Sequence, residues 1–435
     1  MKYFGTDGIR GRAYDFITEE LALRVGQSMF HFREKTNKVI ICRDTRESGE
    51  MIVNQLTKGI LEAGIDVLDI GILATPILAF ATIKNDCFGI MVTASHNPYY
   101  DNGIKIFNRG EKLLLEAEDL IENTIDKGID IKTESIGFRT ENIEILEDYY
   151  ALFKPFASKL KLNVIFDLAN GATIKSAKSI LPSFVDGYEF IGDQANGRNI
   201  NDNCGSTHLE LLQEKVKVNH YDLGIAFDGD GDRILTVDDK GEVVDGDLLI
   251  YLFAKYLKDK KLLNNDVVVL SKMSNLGIIR GLENIGIRVI QTEVGDKYIF
   301  RALDQENATL GGENSGHIIN RYILGSGDGV LNAWFLLMVL NHYGKKLSDL
   351  KQEVKYYPDK LVNIKNINKD LAKHQEVIDL VNYYRELLGN EGKVLVRPSG
   401  TEPLIRVSVS AKDQITVDEI INKLIEKINS LKEGV

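Results

Sequence analysis

Residues 37–64, NKVIICRDTRESGEMIVNQLTKGILEAG, carry the pattern that decides the fold. The first part (37–44) is an apolar run bounded by polar residues, which is typical of a buried strand. The second part (48–64) repeats apolar residues at helical spacing and ends in a glycine, which predicts an amphipathic helix. A strand leading directly into a helix favours an α/β architecture with mostly parallel strands.

The same strand and helix patterns return further along the chain, at 161–181, 221–233 and 266–296. In three places an apolar strand runs directly into a polar loop: GIMVT into ASHNP, LGIAF into DGDGDR, and ATLGG into ENSGH. In open α/β sheets, ligands bind where the strands end at their carboxyl edge. These three loops therefore predict three similar domains that face one cleft.

A chain of 435 residues is too long for a single ordinary core. A helical stretch at 143–156, a break near 245–247 and the YYPDK segment at 356–360 suggest the joints between domains. The last piece contains KVLVRPSGTEPLIRVSVSA, which predicts two strands around a polar loop, followed by a helix. We therefore expect four domains, with boundaries at 1–150, 151–245, 246–357 and 358–435.

Composition and simple motifs exclude several classes of function. A net charge of −11 argues against non-specific nucleic-acid binding, which needs a basic surface. The N-terminal sequence MKYFGTDGIRG has no apolar leader, and the apolar run at 333–340 is too short to span a membrane. We expect a cytoplasmic protein with no membrane or nucleic-acid partner. No GxxxxGK[ST] motif occurs, which disfavours an ATP-driven kinase.

The loop after the third strand pattern, TASHNPYYDNGIKIF (93–107), contains a candidate nucleophile. Ser95 has His96 beside it and Lys105 ten residues later. A serine is nucleophilic only when its surroundings activate it. Local sequence leaves the alternative of an ordinary serine turn or helix cap open.

The DGDGDR loop places three carboxylates, Asp228, Asp230 and Asp232, at alternate positions. Carboxylates this dense repel one another, so a cation is the natural compensation. In an extended loop the alternation would aim all three to one side. A calcium EF-hand loop would need glycine at its sixth position and glutamate at its twelfth, where this chain has Arg233 and Asp239. Magnesium is the favoured ion, and a plain acidic turn is the alternative.

Two further loops offer polar groups for a sugar phosphate. GGENSGH (311–317) presents Glu313, Ser315 and His317 at alternate positions, which suits recognition of sugar hydroxyls, although a polar turn would give the same pattern. RPSGTEPLIR (397–406) gathers arginines, hydroxyls and a glycine amide. Such a group favours a nest for a phosphate dianion over a hairpin with two surface arginines.

Taken together, these loops resemble those of the α-D-phosphohexomutases. TASHNP, DGDGDR, GENSGH and RPSGTEPLIR match the four functional loops of that family. FGTDGIRG (4–11), DNGIKIF (101–107), NINDNCGSTH (199–208) and EVGDKYI (293–299) are similar to its phosphoglucosamine branch. The resemblance extends from the first residues to the last domain. It implies four domains around a central cleft: three similar α/β domains with mixed sheets and a smaller C-terminal α+β domain.

The resemblance also implies an isomerase mechanism and a role for each loop. Ser95 would be phosphorylated and would exchange its phosphoryl group with a hexose phosphate through a 1,6-bisphosphate. One Mg²⁺ per subunit would be held by the three loop aspartates and a phosphoserine oxygen. The catalytic and substrate-binding positions that it implies are Ser95, His96, Lys105 and His317, and Arg10, Lys297, Glu313, Ser315, Arg397, Ser399, Gly400, Thr401 and Arg406.

The resemblance further implies glucosamine phosphate as substrate, glucosamine 1,6-bisphosphate as intermediate or activator, supply of UDP-N-acetylglucosamine synthesis, and a homodimer. Three positions depart from the usual pattern of the branch: Gly231 replaces alanine, Asn314 glutamine and Lys297 arginine. Lys105 could act as a base only if its surroundings lowered its pKa. The alternatives are a phosphoglucomutase or phosphomannomutase of the same fold, a metal-dependent sugar phosphatase, or a silent phosphosugar-binding protein.

Overall fold

The computed structural model describes residues 2–5, 7–133, 135–141, 144–156, 159–398 and 404–433. Contacts divide the chain into two compact units. Unit 1 comprises Met1–Lys272 and Ile290–Lys351, and unit 2 comprises Met273–Val289 and Gln352–Val435. No helix within the described ranges is both long and apolar enough to cross a membrane.

Unit 1 begins with an eight-stranded sheet. Its strands are β1 (Phe4–Gly5), β2 (Gly8–Arg12), β3 (Lys38–Arg43), β4 (Asp66–Ile72), β5 (Phe88–Val92), β6 (Asp101–Asn108), β7 (Glu111–Lys112) and β8 (Arg139–Glu141). The strand order is β1-β2-β6-β5-β3-β4-β8, with β7 paired to β6. Strands β5, β3, β4 and β8 are parallel, whereas β6 runs antiparallel to β5.

Five helices accompany this sheet: α1 (Glu19–Ser28), α2 (Gly49–Glu62), α3 (Thr75–Lys84), α4 (Leu115–Lys127) and α5 (Ile145–Ala151). Helices α1 and α2 pack backbone to backbone, because a Cβ at Gly26 would lie 2.3 Å from the carbonyl oxygen of Leu56. The predicted strand and helix of 37–64 are therefore confirmed as β3 and α2, which share one apolar core with the sheet.

The second sheet of unit 1 has the order β10-β9-β11-β12-β13. Its elements are β9 (Leu160–Asp167), α6 (Ile174–Ile180), β10 (Val185–Ile191), α7 (Glu210–Asn219), β11 (Leu223–Phe227), β12 (Ile234–Asp238) and β13 (Val243–Val244). Strands β10, β9 and β11 are parallel, and β12 turns back antiparallel to β11.

The third sheet has the order β15-β14-β16-β17. Its elements are α8 (Gly246–Asp259), β14 (Val267–Ser271), α9 (Leu276–Asn284), β15 (Arg288–Thr292), α10 (Asp296–Gln305), β16 (Leu310–Gly312), β17 (Ile318–Asn320), α11 (Gly329–Tyr343) and α12 (Leu347–Leu350). Strand β16 is parallel to β14 and antiparallel to β17. Helix α9 and the first two residues of β15 lie in unit 2. The rest of β15, from Ile290 onwards, lies in unit 1.

Unit 2 contains a three-stranded antiparallel sheet of order β18-β20-β19. Its remaining elements are β18 (Asp359–Lys365), α13 (Gln375–Leu388), β19 (Gly392–Pro398), β20 (Leu404–Ala411) and α14 (Gln414–Glu433). The two predicted strands and the C-terminal helix are confirmed. They enclose a core of their own.

All three sheets of unit 1 place a candidate loop in the same way. The loop follows a strand that is parallel to one neighbour, and it leads into a strand that is antiparallel to it: β5 to β6, β11 to β12, and β16 to β17. Each sheet therefore contains both parallel and antiparallel strands, because the strand after each candidate loop runs antiparallel to the strand before it. This repeated plan matches the expected similarity of the first three domains.

Candidate active site

Ser95 lies in a tight loop after β5 and is 1% exposed. Its Oγ donates a 2.6 Å hydrogen bond to Oδ2 of Asp228, and its N–H donates to Oγ1 of Thr93 at 2.9 Å. Its φ is +52°, in the left-handed region that non-glycine residues seldom adopt. Such backbone strain concentrates at functional sites, where the surrounding structure enforces it. The geometry thus supports the functional interpretation of Ser95 over an ordinary turn.

Two residues outside the predicted site, Arg46 and Asn201, hold this loop in place. The fully buried Arg46 donates from Nη2 to the carbonyl oxygens of Ser95 and Asn97, at 2.9 and 2.8 Å. Its Nε donates to Asp44 Oδ2 at 2.8 Å. Nδ2 of Asn201 reaches the same two carbonyl oxygens at 2.9 and 3.1 Å. The only sequence signal for these contacts was the branch-specific stretch that contains Asn201.

The three aspartates of the DGDGDR loop converge after β11. One carboxylate oxygen from each of Asp228, Asp230 and Asp232 lies within 4.8 Å of the others, and all three residues are buried. The sequence predicted that an extended loop would aim the three carboxylates to one side, and that explanation is wrong. Gly231, with φ of +76°, donates its N–H to the carbonyl oxygen of Asp228 at 3.1 Å, so the loop is a tight turn. The turn brings the carboxylates together because a glycine can take the left-handed conformation.

The electrostatics of these carboxylates fit a divalent cation. Burial, together with the charges of Asp232 and Asp230, raises the pKa of Asp228 well above its usual value. Oδ1 of Asp230 and Oδ1 of Asp232 are buried with no hydrogen-bond donor in the described part of the chain. Three carboxylates that offer only oxygen ligands suit Mg²⁺. Ser95 Oγ, bonded to Asp228, lies where a phosphoserine oxygen could join these ligands.

Lys105 projects from β6 into this acidic turn and is 2% exposed. Its Nζ lies 2.7 Å from Asp230 Oδ2, 3.1 Å from Asp7 Oδ2 and 3.4 Å from Asp232 Oδ2. Burial opposes its charge, but these three carboxylates outweigh that effect and raise the pKa of Lys105. The condition for Lys105 to act as a base is therefore not met in this arrangement. Its ammonium suits charge neutralisation or proton donation.

The two candidate histidines have opposite environments. Burial and the charges of Arg233 and Arg10 lower the pKa of His96 to about 4, so its ring is neutral near pH 7. Its Nδ1 lies 3.3 Å from Ser95 Oγ. Burial also disfavours the charge of His317, but Asp232 raises its pKa overall. A neutral ring beside Ser95 and a charge-stabilised ring beside Asp232 suit different proton-transfer roles.

The sugar-loop candidates lie together at the end of β16. Glu313 accepts a 2.9 Å hydrogen bond from the N–H of Gly295 through Oε1. The hydroxyl of Ser315 lies 3.5 Å from its Oε2. Gly295 precedes α10, whose first turn carries Lys297. The EVGDKYI stretch and the GENSGH loop are therefore neighbours, which supports one binding surface for both.

Asp7 orients Arg10, the candidate from the FGTDGIRG stretch. Arg10 Nη2 forms an ion pair with Asp7 Oδ2, while its Nε is buried with no acceptor within the described ranges. Burial raises the pKa of Asp7, but Lys105, Lys112 and Arg10 together hold it well below its usual value. Asp7 is therefore a fixed anion that gathers three cations, and the sequence did not single it out.

In unit 2, Arg397 and Arg406 are directly opposite each other in the β19–β20 register. Like charges at directly opposed positions destabilise a sheet unless an anion compensates them. The pairing supports the expected phosphate site on this hairpin. The remaining candidates of the loop, Ser399, Gly400 and Thr401, lie outside the described residues.

The chain matches all four domains of the phosphoglucomutase/phosphomannomutase family. The matches to its alpha/beta/alpha domains I, II and III cover residues 1–132, 147–241 and 245–357, and the match to its C-terminal domain covers residues 361–427. A phosphoglucosamine mutase of Bacillus subtilis (strain 168) is 40% identical over 99% of this chain and 98% of its own length. One from Shouchella clausii (strain KSM-K16) is 41% identical over 98% of both.

Solved structures share the fold. A phosphoglucomutase/phosphomannomutase family protein from Burkholderia thailandensis has a TM-score of 0.82 at 20% identity, covering 98% of this chain and 97% of its own. An Aspergillus fumigatus N-acetylphosphoglucosamine mutase, solved in complex with GlcNAc-6P and magnesium, has a TM-score of 0.69 at 16% identity, with 99% and 95% covered. With these matches and the four-domain α/β architecture, the chain belongs to the phosphoglucomutase/phosphomannomutase family, the α-D-phosphohexomutases.

Proposed function

We propose that this chain is a phosphoglucosamine mutase, which interconverts glucosamine 6-phosphate and glucosamine 1-phosphate. The observation that carries the chemistry is the 2.6 Å hydrogen bond from Ser95 Oγ to Asp228 inside the aspartate turn. The choice of sugar is supported by the relatives named phosphoglucosamine mutase, which are about 40% identical over nearly the whole chain. Such an enzyme would supply UDP-N-acetylglucosamine synthesis.

Ser95 is the residue we propose to carry the phosphoryl group. In the first transfer, its bond to phosphorus breaks as the free hydroxyl of the hexose phosphate attacks, and glucosamine 1,6-bisphosphate forms. That hydroxyl gives up its proton, and the released Ser95 oxygen takes one up. In the second, the Ser95 hydroxyl attacks the phosphorus of the other phosphate, and the bond from that phosphorus to the sugar oxygen breaks. His96 Nδ1, 3.3 Å from Oγ, is placed to take the serine proton, and the leaving sugar oxygen takes a proton from Lys105 or His317. A neutral imidazole is needed for that step, and the lowered pKa of His96 provides it.

Positioning dominates such transfers, because phosphoryl transfer needs little covalent help from the protein. Arg46 and Asn201 fix the backbone of Ser95, while Lys105 places a positive charge beside Asp230 and Asp232. Asp228, Asp230 and Asp232 would hold Mg²⁺. When bound, the ion would neutralise negative charge on the transferring phosphoryl group.

The bisphosphate must turn end for end between the two transfers. The residues proposed for its distal phosphate are Arg397, Ser399, Gly400, Thr401 and Arg406, with Arg10 and Lys297 as further phosphate contacts. Glu313 would accept hydrogen bonds from the sugar hydroxyls and Ser315 would exchange hydrogen bonds with them, and His317 and Lys105 are the further proton-transfer candidates. A homodimer, a cytoplasmic location and the role of the bisphosphate as activator remain predictions from the resemblance.

An isomerase assay tests the proposal directly. Purified protein would be given the 6-phosphates of glucosamine, glucose and mannose, each with Mg²⁺ and a trace of the matching 1,6-bisphosphate. We expect the highest kcat/KM for glucosamine 6-phosphate. A preference for glucose or mannose would overturn the amino-sugar assignment, and release of free phosphate without isomer would indicate a phosphatase.

A Ser95→Ala variant tests the mechanism apart from the substrate. We expect loss of both isomerisation and phosphoenzyme, measured by intact mass after incubation with the bisphosphate. Ser183→Ala is a matched control, because that hydroxyl contacts only Tyr150 among the contacts of the described residues. Isomerisation that persists in Ser95→Ala would contradict a phosphoserine mechanism.

A further inference from the structure

The candidate proton-transfer residues belong to a closed ring of charged side chains. Lys105 contacts Asp7 and Asp232 at 3.1 and 3.4 Å. Asp232 Oδ1 lies 3.6 Å from His317 Nδ1. His317 Nε2 lies 3.9 Å from Asp296 Oδ2.

Lys112 closes this ring. It lies on β7, and its Nζ forms ion pairs with both Asp7 Oδ1 and Asp296 Oδ2. The six members are Asp7, Lys105, Lys112, Asp232, Asp296 and His317. They come from six separate segments of unit 1, so the ring ties together loops that lie far apart in the sequence.

We propose that Lys112 and Asp296 are positioning residues for the phosphoryl transfer. Neither contacts Ser95 or the other two loop aspartates in the described structure. Lys112 acts through Asp7, which it holds against Lys105 and Arg10. Asp296 acts through His317, whose second ring nitrogen it faces.

The ion pair between Lys112 and Asp296 is partly buried, so it can hold its neighbours in place more firmly than an exposed pair could. The side chains of Lys112 and Asp296 are 23% and 18% exposed, so solvent screens them less than it screens an open surface pair. Burial disfavours the charge of Lys112, but Asp296 and Asp7 raise its pKa and keep it cationic. Without Lys112, Asp296 and Asp7 would lose the cation that they share.

The ring also borders open space, which makes it testable. A cavity of about 190 Å³ is lined by Lys105, Lys112, Asp232, Asp296 and His317 together with further charged and apolar residues. A side chain of similar length at position 112 can therefore be accommodated without overpacking. We expect Lys112→Met to fold, since methionine retains the unbranched stem and removes only the charge.

The inference rests on the proposed mutase activity, and the test separates the two. Wild type, Lys112→Met, Asp296→Asn and the double variant would be assayed with whichever hexose 6-phosphate the wild type isomerises. We expect each single variant to lose about 10-fold to 100-fold in kcat with KM changed by less than about 3-fold, as for misplaced catalytic groups. The double variant should lose no more than the worse single variant, because both break one linkage.

Lys112→Arg should recover a large part of the lost kcat, since it restores the positive charge between the two carboxylates. Lys178→Met is the matched control: Lys178 pairs with Asp193 at 2.6 Å outside the ring, and this variant should keep wild-type kcat. Melting temperatures of all variants would show whether folding is intact.

Two results would overturn the inference. One is a kcat for Lys112→Met within about 2-fold of wild type, which is far below the loss expected when a catalytic group is misplaced. The other is additive losses in the double variant, which would mean that the two residues act separately. A wild type without mutase activity would instead refute the proposed function. Transfer of phosphate from a hexose 1,6-bisphosphate to Ser95, followed by intact mass, would then still report whether Lys112 positions the site.

Discussion

At the scale of single residues, the conformation of Ser95 depends on hydrogen bonds to carbonyl oxygens. A left-handed serine costs about 1–3 kcal/mol, and only surroundings that over-determine the backbone keep it in place. Here the guanidinium of Arg46 and the amide of Asn201 converge on the same two carbonyl oxygens, those of Ser95 and Asn97. Ser95 is thus held through its backbone carbonyl oxygen, and its Oγ faces Asp228.

Replacing Arg46 by lysine should disable this support. Lysine keeps the charge but lacks the planar fork that reaches several acceptors at once. We expect a loss of at least about 2 kcal/mol in the free energy of unfolding, because buried acceptors lose charged donors. The kcat should fall by about 10-fold to 100-fold through the displaced serine. Urea unfolding and steady-state kinetics measure the two effects.

Arg24→Lys provides the control, since Arg24 has a weak 3.5 Å pair with Glu20 on the surface of α1. That variant should change stability by less than about 0.5 kcal/mol. Equal stability and activity in both lysine variants would contradict the role given to Arg46.

The aspartate turn makes a prediction about metal removal. A ligand that binds only the folded state stabilises it by about 2.7 kcal/mol at 100 times its dissociation constant. We therefore expect Mg²⁺ to raise the melting temperature and EDTA to reverse the rise. Asp230→Asn should abolish most of the shift, because Oδ1 of Asp230 is one of the buried oxygens without a donor in the described structure. Asp86→Asn, at an exposed carboxylate paired with Arg109, should retain it. An undiminished Mg²⁺ shift in Asp230→Asn would argue against this metal site.

At the scale of elements, the sequence predicted where chemistry-bearing loops begin, because strand patterns and glycine loops are local. The loops do follow β5, β11 and β16. The shape of the DGDGDR loop was predicted less well. Period-two alternation assumes an extended backbone, whereas Gly231 takes φ of +76° and closes a turn. The convergence of the carboxylates was right and its cause was not.

The contacts that join elements were beyond the reach of local patterns. Asp7 and Lys112 are paired across 105 positions of sequence, and Arg46 and Ser95 across 49. A lysine in a two-residue strand has no periodicity that would mark it as part of a site. Such residues are found only when the fold brings the strands together.

Helix α11 makes a prediction about pH at the scale of one element. Its residues 329–337 are all buried, and its N-cap, Asp328, accepts from the N–H of Leu331 at 3.0 Å and from Tyr149 Oη at 2.6 Å. Burial raises the pKa of Asp328 to about 6. The folded state therefore binds a proton that the unfolded state has already released, and the contribution of Asp328 to stability falls as pH rises from about 4 to about 6 and levels off above that range.

Asp328→Asn removes this dependence while retaining a capping oxygen. Between about pH 5 and pH 8, we expect the variant to gain about 1 kcal/mol in stability relative to wild type. The measurement is the difference in the free energy of unfolding at the two pH values. A constant difference would show that Asp328 titrates normally, and an increasing advantage of the wild type would reverse the sign of the argument.

At the scale of the whole molecule, the charge distribution separates the site from the rest of the surface. The chain has a net charge of −11, yet Arg10, Lys105, Lys112 and Arg233 are drawn together around buried carboxylates. Composition alone could exclude a general polyanion-binding surface. It could not show that these four cations gather at one site.

Unit 2 makes the last prediction, because its C-terminal part closes a core without help from earlier strands. The sheet β18-β20-β19 is formed entirely within residues 359–411, and α13 and α14 cover it. The core members Val377, Val407 and Leu424 are fully buried within this stretch.

A fragment of residues 352–435 is longer than the roughly 40 residues below which a domain usually needs disulfides, metals or oligomerisation to fold. We expect it to unfold cooperatively in a thermal scan, with helical circular dichroism at low temperature. Val407→Asp should abolish the transition by burying an unpaired charge, whereas Lys423→Asp, on the exposed side of α14, should leave it. A non-cooperative fragment would show that this core needs residues 273–289, which belong to the same unit.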